Sequence, residues 1–131
     1  MPIERHLKNK RSSSEITVYS ITCRLMAFRK TIDSDFHLVL CDTATHETMV
    51  AEIVNPRFVS AKSSKRLAEL KEVREKFVTL FGTPGKYFHS LPQQPLITIT
   101  GIGFFDICHG QKGMAHNCRE IHPVLSIELK E

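Results

Sequence analysis

Six polar side chains crowd into the stretch from residue 106 to 122: Asp106, His109, Gln111, Asn117, Glu120 and His122. Their types suit ligand binding. Glu120 and His122 lie two apart, so on a strand they project from the same face. A loop folding over that face would bring His109 to His122 beside Glu120. One carboxylate and two imidazoles can hold a divalent metal ion, which makes His109, Glu120 and His122 the candidate ligands. The same three groups can also pass a proton, with the carboxylate fixing a histidine tautomer. The competing reading is structural. In a glycine-bearing loop, Asp106, Gln111 and Asn117 can each satisfy backbone N–H groups. A zinc set of Cys108, His109, Cys118 and His122 has the spacing C-H-x8-C-x3-H, and the adjacent Cys and His diverge on a strand, which argues against it.

A second group comprises Asp33, Asp35 and His37. Asp33 and Asp35 shape a turn. His37 alternates with Phe36, Leu38 and Leu40 and therefore points away from the core. Asp35 and His37 are the secondary ligand-binding candidates, and Glu52 follows on the next strand. Aromatic platforms for single-stranded nucleic acid are expected on such strands. The second and third strands offer only Phe36, which alternation sends inward, while one of Phe104 and Phe105 faces out. The sequence has no glycine-rich phosphate loop, no G-x-S-x-G and no C-x-x-C, so the chemistries those motifs support are not indicated.

The elements that must position these groups follow from periodicity. Ile16–Phe28 alternates, with Tyr19, Ile21, Cys23, Leu25 and Ala27 on one face, and reads as a strand. Residues 30–35 turn the chain into a second strand, Phe36–Asp42. A third, Glu47–Val54, stops at Asn55-Pro56. The period then becomes helical, with Leu67, Leu70, Val73, Phe77 and Phe81 on one stripe. Ser63 or Ser64 can cap this helix, Gly82 suits its left-handed terminus and Pro84 blocks continuation. A loop over 83–95 leads to a fourth strand, Leu96–Asp106, where Gly101 and Gly103 mark a bend or bulge. After loop 108–119, Glu120–Leu129 forms the last strand. Its face of Ile121, Pro123, Leu125, Ile127 and Leu129 opposes Glu120, His122, Ser126 and Glu128. Pro123 suggests an edge strand or a position without a ladder partner. The order β-β-β-α-β-β predicts a mainly β, five-stranded OB-fold-like barrel over residues 15–131, preceded by a flexible basic tail over 1–14. A ferredoxin-like fold needs a helix where residues 30–35 leave no room.

Two stretches, Asp33 to Ile53 (DSDFHLVLCD and ETMVAEI) and Gly101 to Ile127 (GIGFFDICHGQKGMAHNCREIHPVLSI), resemble an uncharacterised group of small bacterial proteins. The group reads D-S-D-x-H-L-V-L, then G-x-G-F-F-D-x-x-H-G-Q-x-G-x-A-x-N-x-x-E-x-H-P-V-L. The likeness covers most of residues 15–129 and brings no established activity with it. Where the group tends to carry Ile-Pro-x-Pro-Cys, this chain has Ile53-Val54-Asn55-Pro56-Arg57. The missing cysteine weakens a disulfide-bonded, exported reading.

With 131 residues and a formal charge of +4, the chain is one domain long and mildly basic. Residues 1–14 carry four basic side chains against Glu4, so most of the positive balance belongs to the tail and the barrel body is close to neutral. Cys23 and Cys41 sit in apolar strand patterns and read as free core thiols. This points to a reducing, cytoplasmic setting, with a trimmed exported form as the alternative. No apolar run is long enough to span a membrane. The functional expectation is an OB-like binding module, for nucleic acid through the basic tail or for a protein partner. The alternative is a small metal-assisted, nuclease-like hydrolase using Asp106, His109, Glu120 and His122. Whether the protein is an enzyme stays open, and a divalent metal is the single cofactor in view. A third possibility is an interaction protein without small-molecule chemistry.

Overall fold

Alternation in Phe36–Asp42 sends Phe36, Leu38 and Leu40 to one side, and in the structure all three are buried. The structure is a computed structural model that describes residues 17–58, 64–105 and 119–131. Its strands are β1 (Val18–Lys30), β2 (Phe36–Asp42), β3 (Thr48–Ile53), β4 (His89–Ser90), β5 (Leu96–Phe105) and β6 (Arg119–Leu129). A short 3-10 turn, Pro56–Phe58, and one helix, α1 (Ser64–Phe81), follow β3. The strands pair in the order β2-β3-β6-β5-β1, and β1 also pairs with β2, which closes the sheet into a barrel. All pairings are antiparallel except β3 with β6, where Val50 meets Glu120 and Ala51 meets Ile121. This is a five-stranded OB-like barrel with α1 between its third and fourth long strands. The extra two-residue β4 pairs with Ala27 and Phe28 of β1. It was not expected, because residues 83–95 read as a loop from their Gly, Pro and Gln content.

The barrel interior is apolar, and α1 plugs it. Phe77 is fully buried and meets Phe28 edge-on, with ring centroids 5.0 Å apart; Phe36 lies 5.6 Å away. Such aromatic contacts add about 0.5–1.5 kcal/mol each beyond area burial. Leu70 and Val73 of the same stripe are also buried. The helix ends as its residues dictate. Gly82 has a φ of 92° and donates its N–H to the Val78 carbonyl at 2.8 Å. Ser63, one of the two expected caps, lies outside the described residues.

Bulges correct the predicted faces. In β1 the register against β2 slips between Leu25 and Ala27. After the slip Phe28, not Ala27, is buried. In β6 the register against β5 shifts on either side of Gly101, so Ile121, Val124 and Ile127 point inward. Pro123 and Leu125 do not share the inner face with them. Nor is β6 an edge strand: it lies between β3 and β5, and Pro123 sits at the irregularity, where a missing N–H costs no ladder bond. The two glycines of β5 allow close approach. A Cβ on Gly101 would stand 2.6 Å from the Pro123 carbonyl oxygen, and one on Gly103 would collide with the Tyr19 ring. Cys23 is a buried thiol, pushed up to about 12 first by burial and then by Asp42 and Cys41. Cys41 departs from expectation. It alternates onto the outer side of β2 and is half-buried. Among the described residues no helix is long and apolar enough to cross a membrane.

Candidate functional site

The outward side chains of β2, β3 and β6 gather the ionisable groups. His37 stands directly across from Glu52 in the β2–β3 register, and its Nδ1 lies 3.0 Å from Glu52 Oε2. The parallel pairing of Ala51 with Ile121 places Glu52 beside His122 on the next strand. His122 Nε2 is 3.9 Å from Glu52 Oε1, and His122 Nδ1 is 3.9 Å from Glu120 Oε1. Glu120 and His122 therefore do share a face, as their spacing requires. Glu52 is only 18% exposed and His122 37%. The carboxyl of Glu52 is held below its ordinary value of 4.5, chiefly by the hydrogen bond from His37; burial opposes this, and the fields of His122, His37 and Arg29 add to it.

Asp35 joins this group from the end of the β1–β2 turn. One of its oxygens accepts the Asn55 backbone N–H at 2.8 Å, and its own N–H donates to Thr31 Oγ1 at 3.1 Å. Asn55 is buried and ties the same corner together. Its Nδ2 donates to the Asp33 carbonyl at 3.2 Å, and its Oδ1 accepts from the Arg57 N–H at 3.1 Å. Arg74 of α1 approaches the corner, its guanidinium 4.0 Å from the Phe36 ring centroid and 3.4 Å from the Val54 carbonyl oxygen. Burial lowers its pKa, and the charge of Asp35 opposes that shift.

Asp35, Glu52 and His122 can each offer one ligand atom, and these atoms lie within 4.8 Å of one another. This set differs from the expected His109, Glu120 and His122. Only His122 is common to both; Glu120 stands beside it, and His109 lies outside the described residues. So do Asp106, Gln111, Asn117, Cys108 and Cys118. The structure thus unites the surviving members of the C-terminal group with the secondary candidates Asp35 and His37, which the sequence kept apart. Glu52 was passed over as a strand residue, although strict alternation with Ala51 and Ile53 put it on the outer face. Comparison with protein-family models, with curated proteins and with solved structures finds no match for this chain.

Beside the cluster lies an exposed ring that the sequence did not single out, Phe88, preceded in the chain by Tyr87. Phe88 is 53% exposed and Tyr87 77%. The Phe88 ring centroid is 5.9 Å from that of His37, and the Arg29 guanidinium lies 5.2 Å from the Phe88 centroid. Lys86 Nζ sits 5.3 Å from the Tyr87 centroid. The signal was the run Lys86-Tyr87-Phe88, where a cation precedes two adjacent rings inside what reads as a loop. Two shallow grooves lie elsewhere, one lined by Pro56, Arg74 and Val78 and one by Phe81, Leu91 and Leu129, and the cluster residues line neither.

Proposed function

We propose that the protein is an OB-like binding module whose ligand site is the outer face of β2, β3 and β6, where Asp35, Glu52 and His122 take a divalent metal ion. The observation that carries this reading is the approach of three donors from three different elements to within 4.8 Å of one another. Ligands of one zinc ion at about 2.1 Å stand roughly 3–4 Å apart, so a small rotamer change closes the set. Two of the three donors are already oriented. Asn55 holds the Asp35 carboxylate, and His37 holds that of Glu52. Outer hydrogen bonds of this kind fix ligand geometry in metal sites. One imidazole with two carboxylates suits a zinc- or manganese-class ion better than calcium, which prefers all-oxygen shells. Calorimetric titration of Zn²⁺ into the full chain tests the reading. One site should bind in the wild type and be lost in both Glu52→Gln and His122→Ala. Unchanged binding in both variants overturns it.

A second reading is metal-assisted hydrolysis. It is favoured by the number of protein donors: three leave coordination positions for water and substrate. Glu120, 3.9 Å from His122, is the neighbouring carboxylate that would accept a proton from such a water. Cleavage of a phosphodiester substrate with added Mn²⁺, abolished by Glu52→Gln, would support it. Absence of cleavage in the metal-loaded protein would reject it.

A further inference from the structure

Phe88, Arg29 and the metal-type cluster form one continuous row around the barrel. Arg29 of β1 pairs in register with His37 of β2, and His37 pairs with Glu52 of β3. His122 of β6 adjoins Glu52, and Phe88 closes the other end over Arg29 and His37. The row therefore runs from an exposed ring and a guanidinium to a carboxylate and imidazole cluster. We infer that this row is a track for single-stranded nucleic acid, with bases stacking on Phe88 and Tyr87 and phosphates meeting Arg29 and Lys86. This rests on the reading of the outer face as the ligand site and names the ligand class.

The chemistry argues for that class. Each exposed ring has its own cation, Arg29 at Phe88 and Lys86 at Tyr87. A nucleotide offers the matching pair, a π-face for the ring and a phosphate for the cation. An acidic peptide would use the cations and leave the rings unused. The rings stand exposed on the outside of the barrel, so they are not needed to fill the core. A strand stacked on Phe88 passes His37 and brings its next phosphate toward Asp35, Glu52 and His122. There a divalent ion would neutralise both that phosphate and the carboxylates. The metal-type cluster and the stacking strip thus act on adjacent parts of one ligand.

The test is fluorescence anisotropy of a labelled oligothymidylate with the full chain at about 50 mM salt, where phosphate contacts are little screened. Phe88→Ala should weaken binding about tenfold, and Phe88→Trp should restore it. Arg29→Gln should reduce the slope of log affinity against log salt by about 0.7, the value for one single-strand phosphate contact. Thermal melts of each variant confirm that these substitutions leave the fold intact. Affinity unchanged in Phe88→Ala, or poly-glutamate competing as well as the oligonucleotide, overturns the inference. So does an absence of binding. Zn²⁺ binding without Phe88-dependent oligonucleotide binding strikes this inference alone. Phe88-dependent binding without Zn²⁺ binding strikes the metal reading alone.

Discussion

The outer surface of the barrel has two sides built by the same alternation and filled differently. Where β1 runs against β5, hydroxyls meet on the outer face. Thr22 and Thr98 meet at 2.7 Å, and Thr100 donates to Ser20 at 3.2 Å. On β2, β3 and β6 the outer face instead gathers His37, Glu52, Glu120 and His122. Both sides satisfy cross-strand neighbours, and both cover the same core. A hydroxyl pair satisfies itself and ends there. The imidazole and carboxylate row leaves ionisable atoms converging from several strands, which ordering a sheet does not require. Alternation decides that a residue faces outward, while the type of residue decides whether that surface can bind.

The largest effect is expected where both sides share support. Phe77→Ala should cost about 3–5 kcal/mol in urea unfolding, because it empties the centre of the barrel plug. Next comes the corner that holds the ionisable side. Asp35→Ala leaves the Asn55 N–H without its acceptor and should cost about 1–3 kcal/mol. Asp33→Ala, whose backbone carbonyl rather than side chain serves Asn55, should cost under about 0.5 kcal/mol. Equal losses in the two would remove the special role of Asp35.

A smaller effect concerns pH. The Glu52 carboxyl is held below 4.5 in the folded protein, so its contribution to stability is complete above that value. It is lost as pH falls through the depressed folded value. Stability should therefore decline more steeply below pH 4.5 in the wild type than in Glu52→Gln. Parallel curves would show that Glu52 does not contribute. The smallest effect belongs to the hydroxyl side. Replacing Thr22 and Thr98 together by valine removes both partners at once and should change stability by no more than about 0.5 kcal/mol. It should leave Zn²⁺ binding unchanged.

Much of the fold was legible because its strands and helix have clean periods. The bounds of β2 and the stripe of α1 follow directly from alternation and 3.6-residue spacing. The bulges at Met26 and beside Gly101 were only half legible. Glycine flagged the second, while nothing in Leu25-Met26-Ala27 distinguishes a slipped strand from a regular one. The site was less legible, because it depends on which strands become neighbours. Glu52 and His122 are far apart in sequence and meet through the parallel pairing of β3 with β6. His37 was correctly placed outward, yet its partner Glu52 needed the β2–β3 register. Phe88 was hidden because a loop has no period to read.

The most direct test is nuclear magnetic resonance of the imidazole nitrogens during Zn²⁺ titration of the full chain. The His122 ring resonances should shift and saturate with one equivalent of metal, and Glu52→Gln should abolish the response. Saturable Zn²⁺ binding that leaves His122 unmoved, or a His122 response that survives Glu52→Gln, would contradict the proposed site.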